Sequence, residues 1–381
     1  MKPNTLGWSG GLALAVAHCA GMVDLVALPV WIGALIAQYK FAPQQAGLLV
    51  TLFLVSVVVS CLLVAPRLGR LNARLVAVIG FALAALAFAA CAYQTTFPIL
   101  AALHTTAGLA VGCALSVTHG TIARSVNPHR LFAIVNLALG FFAIFFLGAT
   151  PNFIAQFGGQ ALFVAFAIVM VVATVVSTAL FPAIVSESVA TKVEKLAPLS
   201  KTVWFGIAGV CLMALNQAMI FSFVERIGID RGFGLQFVTG VLIAIGIFNI
   251  IPAPLAAILE RRVPVISVLV LGPIAQAVLA LAITMSTGST PYAIAAAVFV
   301  GVMIFTHTFA FGAMARIDTS GRAMAATPAM LMSGAAIGPV LAGTLVQNFG
   351  YYALGVASVV IASVAIMMFL QLRSATKHAT A

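Results

Sequence analysis

Long uncharged, apolar runs alternate along this chain with short polar segments, and the charged residues measure those runs. Lys40 and Arg67 enclose 26 uncharged residues, Lys201 and Glu225 enclose 23, and Arg231 and Glu260 enclose 28. A helix that crosses a bilayer needs about 20 predominantly apolar residues, so each run predicts one span. Arg74 to Arg124 encloses 49 residues, Arg130 to Glu187 encloses 56, Arg262 to Arg316 encloses 53, and Arg322 to Arg373 encloses 50. Each predicts two spans, with a hairpin cue near its middle: Thr95-Thr96-Phe97-Pro98, Phe157-Gly158-Gly159, Gly288-Ser289-Thr290-Pro291 and Asn348-Phe349-Gly350. Trp8 to Ile36 adds one more span, interrupted only by Asp24. The pattern predicts an all-α integral membrane protein of twelve transmembrane helices.

Composition agrees. Only 7% of the 381 residues are charged and 63% are hydrophobic, against roughly 25% charged in an ordinary globular chain. Seven acidic and 18 basic residues do not wet a globule of this length, so most of the surface is expected to face lipid. The net charge of +11 does not point to nucleic acid, because the basic residues punctuate apolar runs and do not gather on one face. Short basic loops stay cytoplasmic. Fifteen of the 18 basic residues fall at the ends of the chain and in the even-numbered loops, and only Lys40, Arg226 and Arg231 fall in the odd ones. Both termini are therefore expected in the cytoplasm, with a bacterial inner membrane as the setting. The first span is too long for the core of a cleavable signal peptide. All five cysteines lie within predicted spans without a CxxC spacing, so packing is expected of them, with no disulfide, metal or other cofactor.

The chain repeats itself at a fixed offset. Ala123-Arg124-Ser125-Val126-Asn127-Pro128-His129-Arg130-Leu131-Phe132-Ala133 and Ala315-Arg316-Ile317-Asp318-Thr319-Ser320-Gly321-Arg322-Ala323-Met324-Ala325 share the pattern A-R-x5-R-x2-A, 192 residues apart. The same offset carries Arg70 onto Arg262, Gly80 onto Gly272, and Asp24 onto Asn216. Two parallel six-helix halves are expected, 1–185 and 202–381, joined by a polar cytoplasmic linker at 186–201.

Twelve spans, a polar middle loop and a repeated six-helix half resemble the major facilitator superfamily of secondary transporters along the whole chain. The shorter motifs match in part. Leu68-Gly69-Arg70-Leu71-Asn72-Ala73-Arg74 keeps the glycine and arginines of the family's loop between helices 2 and 3 but lacks its acid, whereas Glu260-Arg261-Arg262 keeps acid and base. His104-x3-Gly108-x3-Gly112 is similar to the R-x3-G-x3-G motif of the drug/proton antiporters, with histidine in the arginine place. Gly334-x3-Gly338-Pro339-x3-Gly343, in span 11, resembles the glycine–proline motif those antiporters carry in helix 5. The resemblance implies that helices 1, 4, 7 and 10 line a central cavity, that helices 3, 6, 9 and 12 face lipid, and that cytoplasmic loops lock the inner gate by ion pairs.

Polar residues follow that division. Spans 1, 4, 7 and 10 hold His18 and Asp24; His104, Thr105, Thr106 and His119; Asn216 and Gln217; and Thr306, His307 and Thr308. Other spans add little beyond Asn136, Asn249, Gln276 and Ser333. Asp24 reads as the only carboxylate away from a loop or helix end. A charge at mid-bilayer is costly, so such an acid is a functional candidate: it loads a proton, pairs with a cationic substrate group, or ties helix 1 to a neighbour. His104 is a second proton-coupling candidate or a packed neutral ring bonded to a backbone carbonyl. Asn216, Gln217, His307, Thr306, Asn249 and His18 are candidate substrate contacts, with interhelical hydrogen bonding as the alternative; His119 reads as structural. Arg70, Arg124, Arg130, Glu260, Arg262, Arg316, Asp318 and Arg322 are topology signals and candidates for the cytoplasmic gate.

These features favour a secondary transporter, expected as a monomer, over an enzyme, because one intramembrane carboxylate and histidines at different depths do not converge on a catalytic site. No Gly-rich phosphate loop points to ATP. The expected partners are a small organic solute, protons and the bilayer. Without Lys or Arg in the interior, neutral, amphipathic or cationic solutes are expected, exported more readily than imported. An uptake permease for a sugar or other metabolite, or a membrane sensor that no longer transports, are the alternatives.

Overall fold

The computed structural model describes residues 7–182, 199–260, 262–318 and 327–372. Among these residues there are twelve helices long and apolar enough to cross a membrane, and no strand. They are α1 (Trp8–Ala37), α2 (Pro43–Arg67), α3 (Ala73–Cys91), α4 (Phe97–Ala123), α5 (Arg130–Phe157), α6 (Gln160–Leu180), α7 (Lys201–Asp230), α8 (Leu235–Leu259), α9 (Val265–Met285), α10 (Ser289–Ile317), α11 (Ala329–Phe349) and α12 (Tyr352–Leu370). Helices are the expected outcome for apolar runs in lipid, where each backbone N–H and C=O must find its partner within the segment.

The helix ends are written locally. The side chain of Asn72 accepts the Leu75 N–H at 3.1 Å at the start of α3, and that of Ser200 accepts the Val203 N–H at 3.3 Å at the start of α7. Each satisfies one orphan donor of a first turn. Gly158 and Gly350 take φ of 79° and 77° just past α5 and α11. That left-handed backbone costs glycine least, and it turns the chain at two of the expected hairpins.

Three helices are broken in the middle. α1 breaks at Met22, between segments Trp8–Gly21 and Val23–Ala37. α7 breaks at Ser222 and Phe223 and restarts as Val224–Asp230. α8 breaks between Phe248 and Pro252, and the proline, which has no N–H to donate, opens its second segment.

The chain forms two compact units. The first gathers α3 to α6 with α1 as far as Ala27 and α2 from Leu52 onward. In it, α4 lies close along α2: a β-carbon built on Gly108 would collide with the Phe53 carbonyl, and one on Gly112 with Val57 and Ser60. Rings knit four helices together, with Phe53 5.8 Å from Phe88, Phe88 4.9 Å from Phe166, and Phe146 5.8 Å from Phe166.

The second unit gathers α7 to α12 with Leu28–Ile36 of α1 and Phe41–Thr51 at the start of α2. Its core packs Val210 and Met213 of α7 against Leu269 of α9, Met314 of α10 and Phe369 of α12. Gly334 and Gly338 of α11 press on the α7 backbone at Cys211 and Met219, while Gly47 and Gly343 bring α2 and α11 into backbone contact. Thr51 Oγ1 accepts the N–H of Val340, the residue just after Pro339 inside α11, at 3.2 Å.

Exposure follows the expected division in part. α1 and α7 are the most buried helices, but α5 and α8 expose more of themselves than α3, α6, α9 or α12. Many of their uncovered side chains are apolar, among them Phe141, Phe145, Ile251 and Ile258, and suit contact with lipid. Trp8 and Trp204 are exposed near span ends, as interfacial anchors should be, whereas Trp31 is fully buried. Trp31 lies in the stretch of α1, Leu28–Ile36, that belongs to the second unit.

Candidate functional site

The break in α1 positions its carboxylate. Met22 leaves the helical backbone, and Asp24 follows as the second residue of the restarted segment. Asp24 is fully buried, and its Oδ1 accepts the Leu25 N–H at 2.9 Å. Its Oδ2 is shielded from solvent and has no hydrogen-bond partner among the described residues. An ionised carboxylate with an unpaired oxygen in such surroundings is costly, so the geometry suits a group that takes up a proton or meets a cation.

One and a half turns before Asp24, the His18 ring lies against helix α4. Its Nδ1 is 3.0 Å from Nε2 of His119, and the ring centroids are 5.2 Å apart. Neutral rings satisfy this contact when one donates N–H and the other accepts. His119 also meets the edge of Phe132 on α5 at 5.6 Å. The two histidines, one expected at the substrate and the other structural, thus form a single feature.

His104 has a different setting. It is fully buried, and its Nδ1 donates to the Leu100 carbonyl one turn back at 2.7 Å. Cys91 of α3 lies 3.9 Å from the same nitrogen, and Phe163 of α6 packs edge-on at 5.5 Å. The ring is turned toward α3 and α6, where it bonds to its own backbone.

In the second unit the amides form a network. Asn216 Nδ2 donates to Gln276 Oε1 at 3.0 Å, and Gln276 Nε2 donates to the Met213 carbonyl and to Gln217 Oε1, each at 3.3 Å. Gln276 of α9, counted from sequence among the outward-facing helices, is almost completely buried. Thr306 bonds to the Val302 carbonyl at 2.8 Å and sits where a β-carbon on Gly272 would collide with it. His307 packs on Phe311 at 5.0 Å. Asn249 lies at the break of α8, its Oδ1 shielded and unpartnered among the described residues. A groove of about 460 Å³ lies between α8, α9 and α10, lined by Phe248, Ile251, Leu271, Val298 and Phe305, with Thr306 on its wall. Apart from Thr306 its lining is apolar, which suits the apolar part of a solute.

At the basic ends of the helices one ion pair forms among the expected gate residues. Arg316 pairs with Glu260 at 2.9 Å, both side chains about half exposed. Arg124 donates to the Leu68 carbonyl at 3.3 Å. Arg70, Arg130 and Arg262 are exposed, and Asp318 caps the end of α10 through its N–H to the Met314 carbonyl at 2.8 Å. Arg322 lies outside the described residues.

Sequence reasoning missed a second carboxylate within a span. α7 continues past its break to Asp230, so Glu225 lies inside it, and Asp24 is not alone. Glu225 Oε2 is shielded and unpartnered among the described residues, and it rests on the backbone of α1 at Gly33, where a β-carbon would overlap it. The i,i+4 spacing of Arg226 and Asp230 was the available signal, because it marks one more helical turn. The two pair at 2.5 Å.

The Major Facilitator Superfamily model matches residues 13–317, four-fifths of the chain. This protein belongs to that superfamily. Its fold is also that of solved transporters. A D-xylose–proton symporter aligns with a TM-score of 0.73 at 13% identity, covering 96% of this chain and 97% of the other. Nucleoside transporter NupG aligns at 0.71 and 14%, covering 96% and 98%. A bacterial homolog of the human lysosomal transporter Spinster, inward-facing and unoccupied, aligns at 0.72 and 16%, covering 96% and 97%. No curated protein matches this sequence. As a superfamily member with twelve spans, the protein is a multi-pass membrane transporter.

Proposed function

We propose that this transporter couples protons to the movement of a small neutral, amphipathic or cationic organic solute by alternating access, and that it exports that solute. Asp24 carries this reading: a fully buried carboxyl with one unpartnered oxygen, placed at a break in α1. Protonated, it is neutral and compatible with a closed, dry surround; ionised, it calls for water or a cation. The apolar groove beside Thr306 and the absence of Lys and Arg from the middle of any span support a solute without multiple negative charges. Gln217, Asn249, Thr306 and His307 are the proposed substrate contacts in the second unit. His18 belongs with them in the first, and Asn216 holds Gln276 beside the site. The Arg316–Glu260 pair and the arginines at 70, 124, 130, 262 and 322, with Asp318, form the proposed inner gate. The excess of Lys and Arg at the ends that carry both termini supports a cytoplasmic location for those ends, in a bacterial inner membrane on this reading. The protein works as a monomer.

The experiment is transport in proteoliposomes. Solutes selected by thermal shift of the purified protein are loaded with an isotope label, and a pH gradient is imposed. Accumulation against the solute gradient, abolished by a protonophore, supports the reading. Equal flux with and without the pH gradient contradicts it, and accumulation in the import direction replaces export with an uptake permease.

A further inference from the structure

Asp24 and Glu225 occupy the same local position. Each is the second residue of a helical segment that restarts after a break, Val23-Asp24 in α1 and Val224-Glu225 in α7. Each keeps one carboxyl oxygen shielded from solvent and without a partner among the described residues. Glu225 differs in what it touches, for its Oε2 lies on the bare backbone of α1 at Gly33, within the second unit. Any side chain at residue 33 would occupy the same space.

The charges around Glu225 are already engaged. Arg226 is paired with Asp230 through two contacts of 2.5 and 3.0 Å, and the Tyr351 hydroxyl donates to Asp230 at 2.5 Å. Arg231 donates to the Ile283 carbonyl at 2.7 Å and to the Thr284 carbonyl, closing the end of α9. Tyr292 of α10 donates to the Val224 carbonyl at 2.6 Å. The packed stretch of α1 carries no charged residue between Asp24 and Lys40, and α8 and α9 carry no titratable group within their described spans before Glu260. Burial against Gly33 leaves a Glu225 anion offset in part by the Arg226 charge, which Asp230 already shares, and a bound proton removes the cost that remains.

We propose that Glu225 is a second proton-binding carboxylate: it holds a proton while it rests on Gly33, and loses that proton to outside water when α1 and α7 part. This rests on the alternating-access reading and adds to it a site at the outer ends of the helices. Closing the outer side then takes up one proton at Glu225, independently of Asp24.

Ala46, fully buried in the first turn of α2 within the same unit, supplies the reporter. In a cysteine-free background, Ala46→Cys is labelled from outside with a membrane-impermeant maleimide from about pH 5 to about pH 8, and its rate is divided by that of Thr287→Cys in the exposed loop before α10. The ratio is expected to rise with pH, by at most about tenfold per pH unit for a single proton. Glu225→Gln should keep it low and flat. Gly33→Ala should raise it at every pH by displacing the carboxyl, and adding Glu225→Ala to Gly33→Ala should restore low, flat labelling. The rise should persist in Asp24→Asn, even where that variant loses proton-driven transport. A pH-dependent ratio that survives in Glu225→Gln, or one that disappears only in Asp24→Asn, overturns the proposal while leaving alternating access intact. A ratio that stays low in the parent and in Gly33→Ala alike overturns both the proposal and the opening of this side.

Discussion

The Nδ1 atom of His18 lies 3.0 Å from Nε2 of His119, and through this contact α1 is tied to α4 in the first unit. His18 is almost fully buried, so removing its partner leaves a polar nitrogen without a bond. His119→Leu is expected to cost about 1–3 kcal/mol, read as a fall in the thermal unfolding midpoint of the purified protein. Combining it with His18→Phe should cost less than the two single changes added together. Strict additivity would show that the rings do not depend on each other.

Close packing of α4 on α2 predicts an asymmetry among glycines. Gly112→Val drives a side chain into Val57 and Ser60, and overpacking of this kind costs about 1–3 kcal/mol. Gly240, on α8, has nothing within reach of a β-carbon, so Gly240→Ala should leave stability unchanged or raise it by up to about 1 kcal/mol. Comparable losses in both variants would contradict the packing described for α4.

The twelve helices were legible because lipid makes charge expensive, and so each charged residue marks a boundary. The same rule hides Glu225, whose charge reads as the end of a span that instead breaks at Ser222 and Phe223 and continues to Asp230. Asp24 stood out because its neighbours are apolar on both sides. The tie between Asn216 and Gln276 was not legible, since it joins residues 60 positions apart on helices whose facing sides no local pattern specifies. The fixed offset that pairs Asp24 with Asn216 also points to a different residue from Glu225, which shares its place after a helix break. The histidine pair was missed for a similar reason. Spacing within each helix shows which face a residue occupies, but not which turn of α4 meets which turn of α1.

The pair between Arg316 and Glu260 is about half exposed, so water and salt screen it. A double-mutant cycle with Arg316→Gln and Glu260→Gln should give a coupling below about 1 kcal/mol in stability, diminishing as salt is added. A gate role would be read elsewhere, as a change in labelling of cysteines at the basic ends. A large, salt-insensitive coupling would mean that the pair is a structural staple.

Orientation has its own test. Cysteine at Gln45 or Thr287 should react with an impermeant maleimide added outside intact cells, and cysteine at the exposed Val126 only after permeabilisation. The reverse pattern would overturn the cytoplasmic assignment of the basic ends.

Proton coupling through Asp24 is the central claim, and its most direct measurement is driven accumulation against passive exchange in one preparation of Asp24→Asn proteoliposomes. The substitution keeps the shape of the side chain and fixes its neutral form. With the labelled solute that the parent concentrates, the variant should exchange solute across the membrane yet fail to accumulate it under an imposed pH gradient, and Asp24→Glu should retain part of the driven transport. If Asp24→Asn concentrates solute as well as the parent does, Asp24 is a packing residue and the proton passes elsewhere.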